Sequence, residues 1–199
     1  MEISATLVKE LREKTGVGMM HCKRALTEAD GDVAAAEKLL RKQGVAAAAK
    51  KASRATGEGL VTSYVHTGGK IGVLVEVNCE TDFAARSDDF QTLVKGLAMH
   101  VAAAAPRFLH REEVDKDILA EEREIARDHA LKSGKPEKIV DKIVEGKIEK
   151  FYAENVLLEQ AFVKDPEKTV GQLFTDAVGR IGENIRIRRF ARFVLGEEL

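Results

Sequence analysis

A chain of 199 residues, 44% apolar and 33% charged, has room for one ordinary domain plus a small one beneath a heavily solvated surface. Its formal net charge of -1 removes any bulk electrostatic argument for nucleic acid or an anionic membrane. Cys22 and Cys79 are too few for a disulfide framework, and no run reaches the roughly 20 apolar residues that span a bilayer. Met1–Lys9 carries Glu2 ahead of any apolar stretch and lacks a signal pattern, so the expectation is a cytoplasmic protein with reduced thiols and no membrane segment.

Residues 1–44 read as three short helices. Ser4 is placed to cap the first, whose apolar face is Leu7, Val8 and Leu11, and Gly16 ends it. Met19, Cys22, Ala25 and Leu26 follow at helical spacing. Asp30-Gly31 is a turn, and Asp32 caps a third helix carrying Val33, Ala36, Leu39 and Leu40 before Gly44. Met19 and Met20 are adjacent and cannot share one stripe, so at least one is expected on the surface, open to a partner. Gly16-Val17-Gly18 lacks the Lys-Ser/Thr that a phosphate loop requires.

Residues 45–58 form a helical linker: alanines at 46–49, then Lys50, Lys51 and Arg54. Those cations read either as a solvated face or as partners for acids on another protein, where rim charges mainly set the association rate. Leu60–His66 and Lys70–Val77, joined by Thr67-Gly68-Gly69, read as a hairpin. His66 has no Cys or acid at ligand spacing, and neither His21, His100, His110 nor His129 supplies one, so no metal is expected.

The second hairpin strand alternates Ile71, Val73, Val75 and Val77 with Gly72, Leu74 and Glu76, then breaks over Asn78–Asp82. Phe83 follows at once, before Ser87, Asp88 and Asp89 offer helix caps. A phenylalanine in that position either folds back into the core or projects.

Beyond it, Ser87–Ala105 reads as an amphipathic helix with Phe90, Leu93, Val94, Leu97, Ala98 and Val101 inward, stopped by Pro106. Two charge-laced helices, Asp115–Ser133 and Glu137–Asn155, flank a Ser-Gly-Lys-Pro break, the second with Ile139, Ile143, Ile148 and Phe151 on its inner stripe. Lys164–Lys168 reads as a connection into a helix over Thr169–Arg180. A strand over Asn184–Leu195 closes the chain, its alternation shifted at Arg189 as by a bulge. Arg186, Arg188, Arg189 and Arg192 raise a nucleic-acid reading, but no stacking aromatics interleave with them, and a charged outer face of a strand accounts for them.

Three separated regions resemble the elongation factor Ts family: Leu11–Leu26 (L-R-E-K-T-G-V-G-M-M-H-C-K-R-A-L), Thr81-Asp82-Phe83, and the C-terminal segments L-L-E-Q-A-F-V-K-D-P-E-K-T-V-G-Q-L and G-E-N-I-R-I-R-R-F-A-R-F-V-L-G-E. The resemblance implies an α+β fold in its short, single-core form. A small N-terminal three-helix bundle of the ubiquitin-associated type, residues 1–44, would dock on a partner GTPase domain. A core of antiparallel strands packed with helices, residues 59–199, would form a homodimer. It further implies a guanine-nucleotide exchange factor for elongation factor Tu, met GDP-bound and nucleotide-free, with no chemistry, cofactor or metal of its own. Thr81, Asp82, Phe83 and Ala84 would form the loop that enters the partner and disturbs its magnesium site. Leu11, Met19, Met20, His21 and Lys23 would serve in the N-terminal module. Two positions depart from the family pattern, His21 where an acid is usual and Ala84 where valine is usual, and the second implies a weaker wedge. No nucleophile–base pair or cofactor fingerprint supports an enzyme. The rivals are a helical adaptor using residues 1–44 alone and an RNA-binding protein using Arg186–Arg192.

Overall fold

A computed structural model describes residues 3–197; Glu2 and the outermost ends of the expected 1–44 and 59–199 segments lie outside the described residues. Three helices open the chain, α1 (Ala5–Thr15), α2 (Met19–Glu28) and α3 (Val33–Lys51). Their ends follow the capping logic of the sequence. The Ser4 hydroxyl accepts from the Leu7 amide, Gly16 closes α1 in the left-handed region at φ 68°, and the Asp32 carboxylate accepts from Ala34 and Ala35 at 2.8 and 3.0 Å. Val8, Leu11, Cys22, Ala25, Leu26, Ala36 and Leu40 form the buried centre of this bundle. Gly44 does not end α3: the helix runs on through the alanines to Lys51, since one interior glycine costs only about 1 kcal/mol against alanine and strong helix formers follow it.

A hairpin follows, β1 (Glu58–Val65) and β2 (Ile71–Cys79), turned by Gly68 and Gly69 at φ 93° and 69°. Then come α4 (Asp82–Arg86), α5 (Asp88–Ala104), α6 (Lys116–Lys132), α7 (Glu137–Asn155), β3 (Ala161–Phe162), β4 (Asp165–Thr169), α8 (Val170–Ile181) and β5 (Arg186–Val194). The strands make two sheets, ordered β1-β2-β5 and β3-β4, the latter antiparallel, and the fold class is α+β. The segment expected as a plain connection before α8 is therefore strand β4, which exists because β3 lies beside it. The expected stripe of α7 also shifts: Val140, Val144, Ile148 and Phe151 are buried while Ile139 is exposed. Val140 and Val144 meet Ala126 and Ala130 of α6, whose small side chains let the valines reach the seam.

The chain folds into two compact units. One holds everything through Val61 together with Glu76–Val94 and Leu173–Arg188. The other holds Thr62–Val75, Lys95–Gln172 and the chain from Arg189 onward. In the second unit the Arg111 guanidinium lies 4.2 Å over the Tyr152 ring and binds both Glu149 and Glu159, which hold it charged. No helix among the described residues is long and apolar enough to cross a membrane.

Candidate partner-binding site

Strand β2 delivers Val73, Val75, Val77 and Cys79 to the interior by strict alternation. The Cys79 thiol donates to the Thr81 carbonyl at 3.1 Å, and burial first, then the Glu183 carboxylate, pushes its pKa up to about 11, so it is a neutral packing group. Thr81 is extended (φ -131°, ψ 157°) and its hydroxyl accepts from the Ala84 amide, starting α4. Asp82 stands in the first turn and Arg86 in the last, each favoured there by the helix dipole, and they pair at 2.8 Å.

Five residues of helix expose one face and bury another. Ala84 and Ala85 point inward, whereas Phe83 is 82% exposed. Leaving a phenylalanine in water forgoes about 1.5–3 kcal/mol of burial. Ser87 fixes that outcome: its extended backbone ends α4, its hydroxyl donates to the Ala84 carbonyl at 2.7 Å and accepts from Phe90, and α5 restarts with Phe90 buried. Ala84 is buried against the core, so its side chain is no part of the exposed apolar tip.

Behind the turn lies a polar network that the sequence did not reveal. Glu183, in the α8–β5 connection, accepts from the amides of Glu80 and Thr81 at 3.1 and 3.0 Å and from the Thr81 hydroxyl at 2.6 Å. Glu80 reciprocates, accepting from the Asn184 amide at 2.6 Å and pairing with Arg54 at 3.4 Å. The Asn184 amide bond, followed by the Arg54 charge, holds the Glu80 carboxyl below its ordinary range. Lys51 donates to the Gly182 carbonyl at 2.6 Å. Two of the linker cations, Lys51 and Arg54, therefore serve the chain's own turn.

In the bundle, Met19 and Met20 are 59% and 73% exposed, and His21 and Lys23 are exposed beside them, while Cys22, Ala25 and Leu26 of the same helix are buried. Leu11 is 0% exposed at the centre of the bundle, so it supports that surface from beneath and is no part of it. On β5, Ile187 is buried and Arg186, Arg188 and Arg189 are exposed, the shifted alternation the sequence led one to expect. Arg192 turns its Nε to the Ala102 carbonyl at 3.3 Å. Among the described residues no group of three or more His, Cys, Asp or Glu side chains is placed to hold a metal.

The family model described as Elongation factor TS matches residues 35–197. The chain is 65% identical over 198 residues to Elongation factor Ts of Anaeromyxobacter dehalogenans strain 2CP-1, covering 100% of the chain and 90% of that protein. It is 60% identical over 199 residues to Elongation factor Ts of Geobacter sulfurreducens, with 100% and 92% covered. With Elongation factor Ts of Thermoanaerobacter sp. strain X514 it shares 58% identity over 195 residues, with 98% and 96% covered.

Proposed function

The chain belongs to the elongation factor Ts family, and on that premise we propose that it is a cytoplasmic guanine-nucleotide exchange factor acting on elongation factor Tu, not an enzyme. The observation that carries the proposal is Phe83, held out into solvent on a helix whose other apolar side chains are buried. It meets the GDP complex of the partner, and the Thr81-Asp82-Phe83 tip enters between helices of the GTPase domain and disturbs its magnesium site. GDP leaves, and GTP replaces it.

No bond is made or broken, so linkage is sufficient. A protein that binds the nucleotide-free partner more tightly than the GDP complex must weaken GDP by the same factor. Burial of one phenylalanine shifts such an equilibrium by about 1.5–3 kcal/mol, roughly 10- to 150-fold, enough to populate a displaced helix arrangement. Asp82, already paired with Arg86, adds a charge at the entering end.

The bundle docks on the GTPase domain through Met19, Met20, His21 and Lys23. The core forms a homodimer through its strands, and exposed Val65, Leu74 and Phe193 on the three strands of the larger sheet are consistent with a face that another copy covers.

Release of a fluorescent GDP analogue from elongation factor Tu tests the proposal. The chain accelerates release and Phe83→Ala loses most of that acceleration; no acceleration by either protein would refute the exchange role. Sedimentation at micromolar concentration reads the dimer, and a species of only 21.8 kDa would contradict it.

A further inference from the structure

We infer that Glu183 is a positioning residue for the exchange step, acting through Thr81 on the direction of Phe83; the inference rests on the exchange reading above. A helix of five residues cannot hold its own direction, because helices so short are unstable in water without outside contacts. The direction of α4 is therefore set by what fixes its ends. At the C-terminal end that is Ser87. At the N-terminal end it is Thr81, and the Thr81 backbone amide and hydroxyl both terminate on the Glu183 carboxylate, at 3.0 and 2.6 Å.

The carboxylate takes a third donor, the Glu80 amide, so every donor of the two residues leading into Asp82 that faces this side ends on one group. Charge-assisted bonds of this kind are about twice as strong as neutral ones. The Thr81 hydroxyl has its proton committed to Glu183 and its lone pair directed at the Ala84 amide, so the carboxylate orients the cap as well as the backbone.

Glu183 is itself anchored. Its turn begins at Gly182, in the left-handed region at φ 89°, whose carbonyl holds Lys51. It continues into Asn184, buried, whose side-chain amide donates to the carbonyls of Arg54 at 2.9 Å and Ala52 at 3.4 Å. The carboxylate is thus presented by a segment tied at two points to the end of α3, and Phe83 inherits that rigidity.

The test uses the full chain in two measurements. First, amide hydrogen exchange on the free protein compares wild type with Glu183→Ala and Glu183→Gln. The Ala variant should expose the Thr81 and Ala84 amides and leave the β2 amide of Val77 protected; unchanged protection at Thr81 and Ala84 would overturn the inference without touching the exchange reading.

Second, release of fluorescent GDP from elongation factor Tu is followed with the same proteins at saturation. Losing the hydrogen bonds to a charged group should slow accelerated release by about tenfold in Glu183→Ala. Glu183→Gln should recover most of it, since an amide oxygen accepts both backbone N–H groups and its NH2 can donate to the Thr81 hydroxyl. In a Phe83→Leu background, where the tip is already compromised, the Glu183→Ala effect should shrink well below tenfold; an undiminished effect there would show that Glu183 acts independently of Phe83 and overturn the inference. Should Glu183→Ala not fold, Thr81→Val removes the hydroxyl's bond to Glu183 together with its cap on the Ala84 amide and must show the same coupling to Phe83, its absence having the same meaning. Wild type without acceleration would refute the exchange reading, while the amide measurement would still decide whether Glu183 orders the turn.

Discussion

Phe83 and Phe90 stand on either side of Ser87 with opposite fates: the first is 82% exposed and the second 0%. In one continuous helix these two positions would lie on the same face, because seven residues make almost two whole turns. The extended backbone at Ser87, φ -66° and ψ 145°, resets the phase between α4 and α5 so that one phenylalanine can be a core residue and the other a tip.

Replacing Ser87 by Ala removes the hydroxyl that donates to Ala84 and accepts from Phe90. Loss of such a cap costs about 1 kcal/mol of stability. The larger expected effect is on function, a drop in accelerated GDP release of about threefold or more as the tip loses preorganisation. Thermal melting and stopped-flow release on the same sample separate the two effects; a variant that melts lower yet releases at the wild-type rate would show that Ser87 serves stability alone.

Leu11 and Met20 divide the N-terminal set into support and surface. Leu11→Ala should destabilise the bundle by about 2–5 kcal/mol, because it empties a fully buried site. Met20→Ala should change stability by no more than about 0.5 kcal/mol and weaken binding to elongation factor Tu. Urea denaturation and a binding titration on both variants check the split. Equal loss of stability in the two would contradict it.

His100 gives a pH dependence of known sign. The ring is fully buried; its Nδ1 accepts from the Val163 amide at 3.3 Å, so its Nε2 carries the proton donated to Gln160 Oε1 at 3.0 Å, and Gln160 in turn is fixed by the carbonyls of Ala104 and Glu154. Burial, opposed by the Gln160 bond, lowers the ring pKa below its ordinary 6.5. The unfolded chain therefore takes up a proton that the folded chain refuses. Stability from this group is complete above 6.5 and falls as pH drops below it, with a slope of at most about 1.4 kcal/mol per pH unit. Denaturant melts from pH 5 to 8 should show that slope, and His100→Asn should flatten it. Glu80 acts in the same direction but in a lower window, below its ordinary 4.5.

Gly59 is closed to side chains. It sits at φ 146°, and a Cβ there would stand 2.7 Å from Asn78 Cα on the neighbouring strand. Gly59→Ala should cost about 2–3 kcal/mol through backbone strain and overpacking, lowering the melting temperature. Gly72, with nothing within 4 Å of its Cβ position, is the control and should tolerate alanine.

Much of this protein was legible residue by residue. Ser4, Gly16 and Asp32 announced the ends of α1 and the start of α3, the alternation from Ile71 to Val77 gave β2, and the α5 stripe from Phe90 to Val101 is buried as its period implied. These signals are local: a cap or a period is decided by neighbours within a turn or two, and those neighbours are adjacent in the sequence.

What the sequence left open turned on packing and pairing, between neighbours in some places and between distant segments in others. Whether Phe83 folds inward was settled by the burial of Ala84 and Ala85 beneath it and by the break at Ser87. The α7 stripe fell on Val140 and Val144 because α6 offers alanines opposite them. β4 became a strand because β3 lies alongside. Glu183, 102 positions from Thr81, carries no local mark of its role. A carboxylate in a polar turn looks the same whether it faces water or a backbone amide, and only the packing of distant segments brings the amide to it.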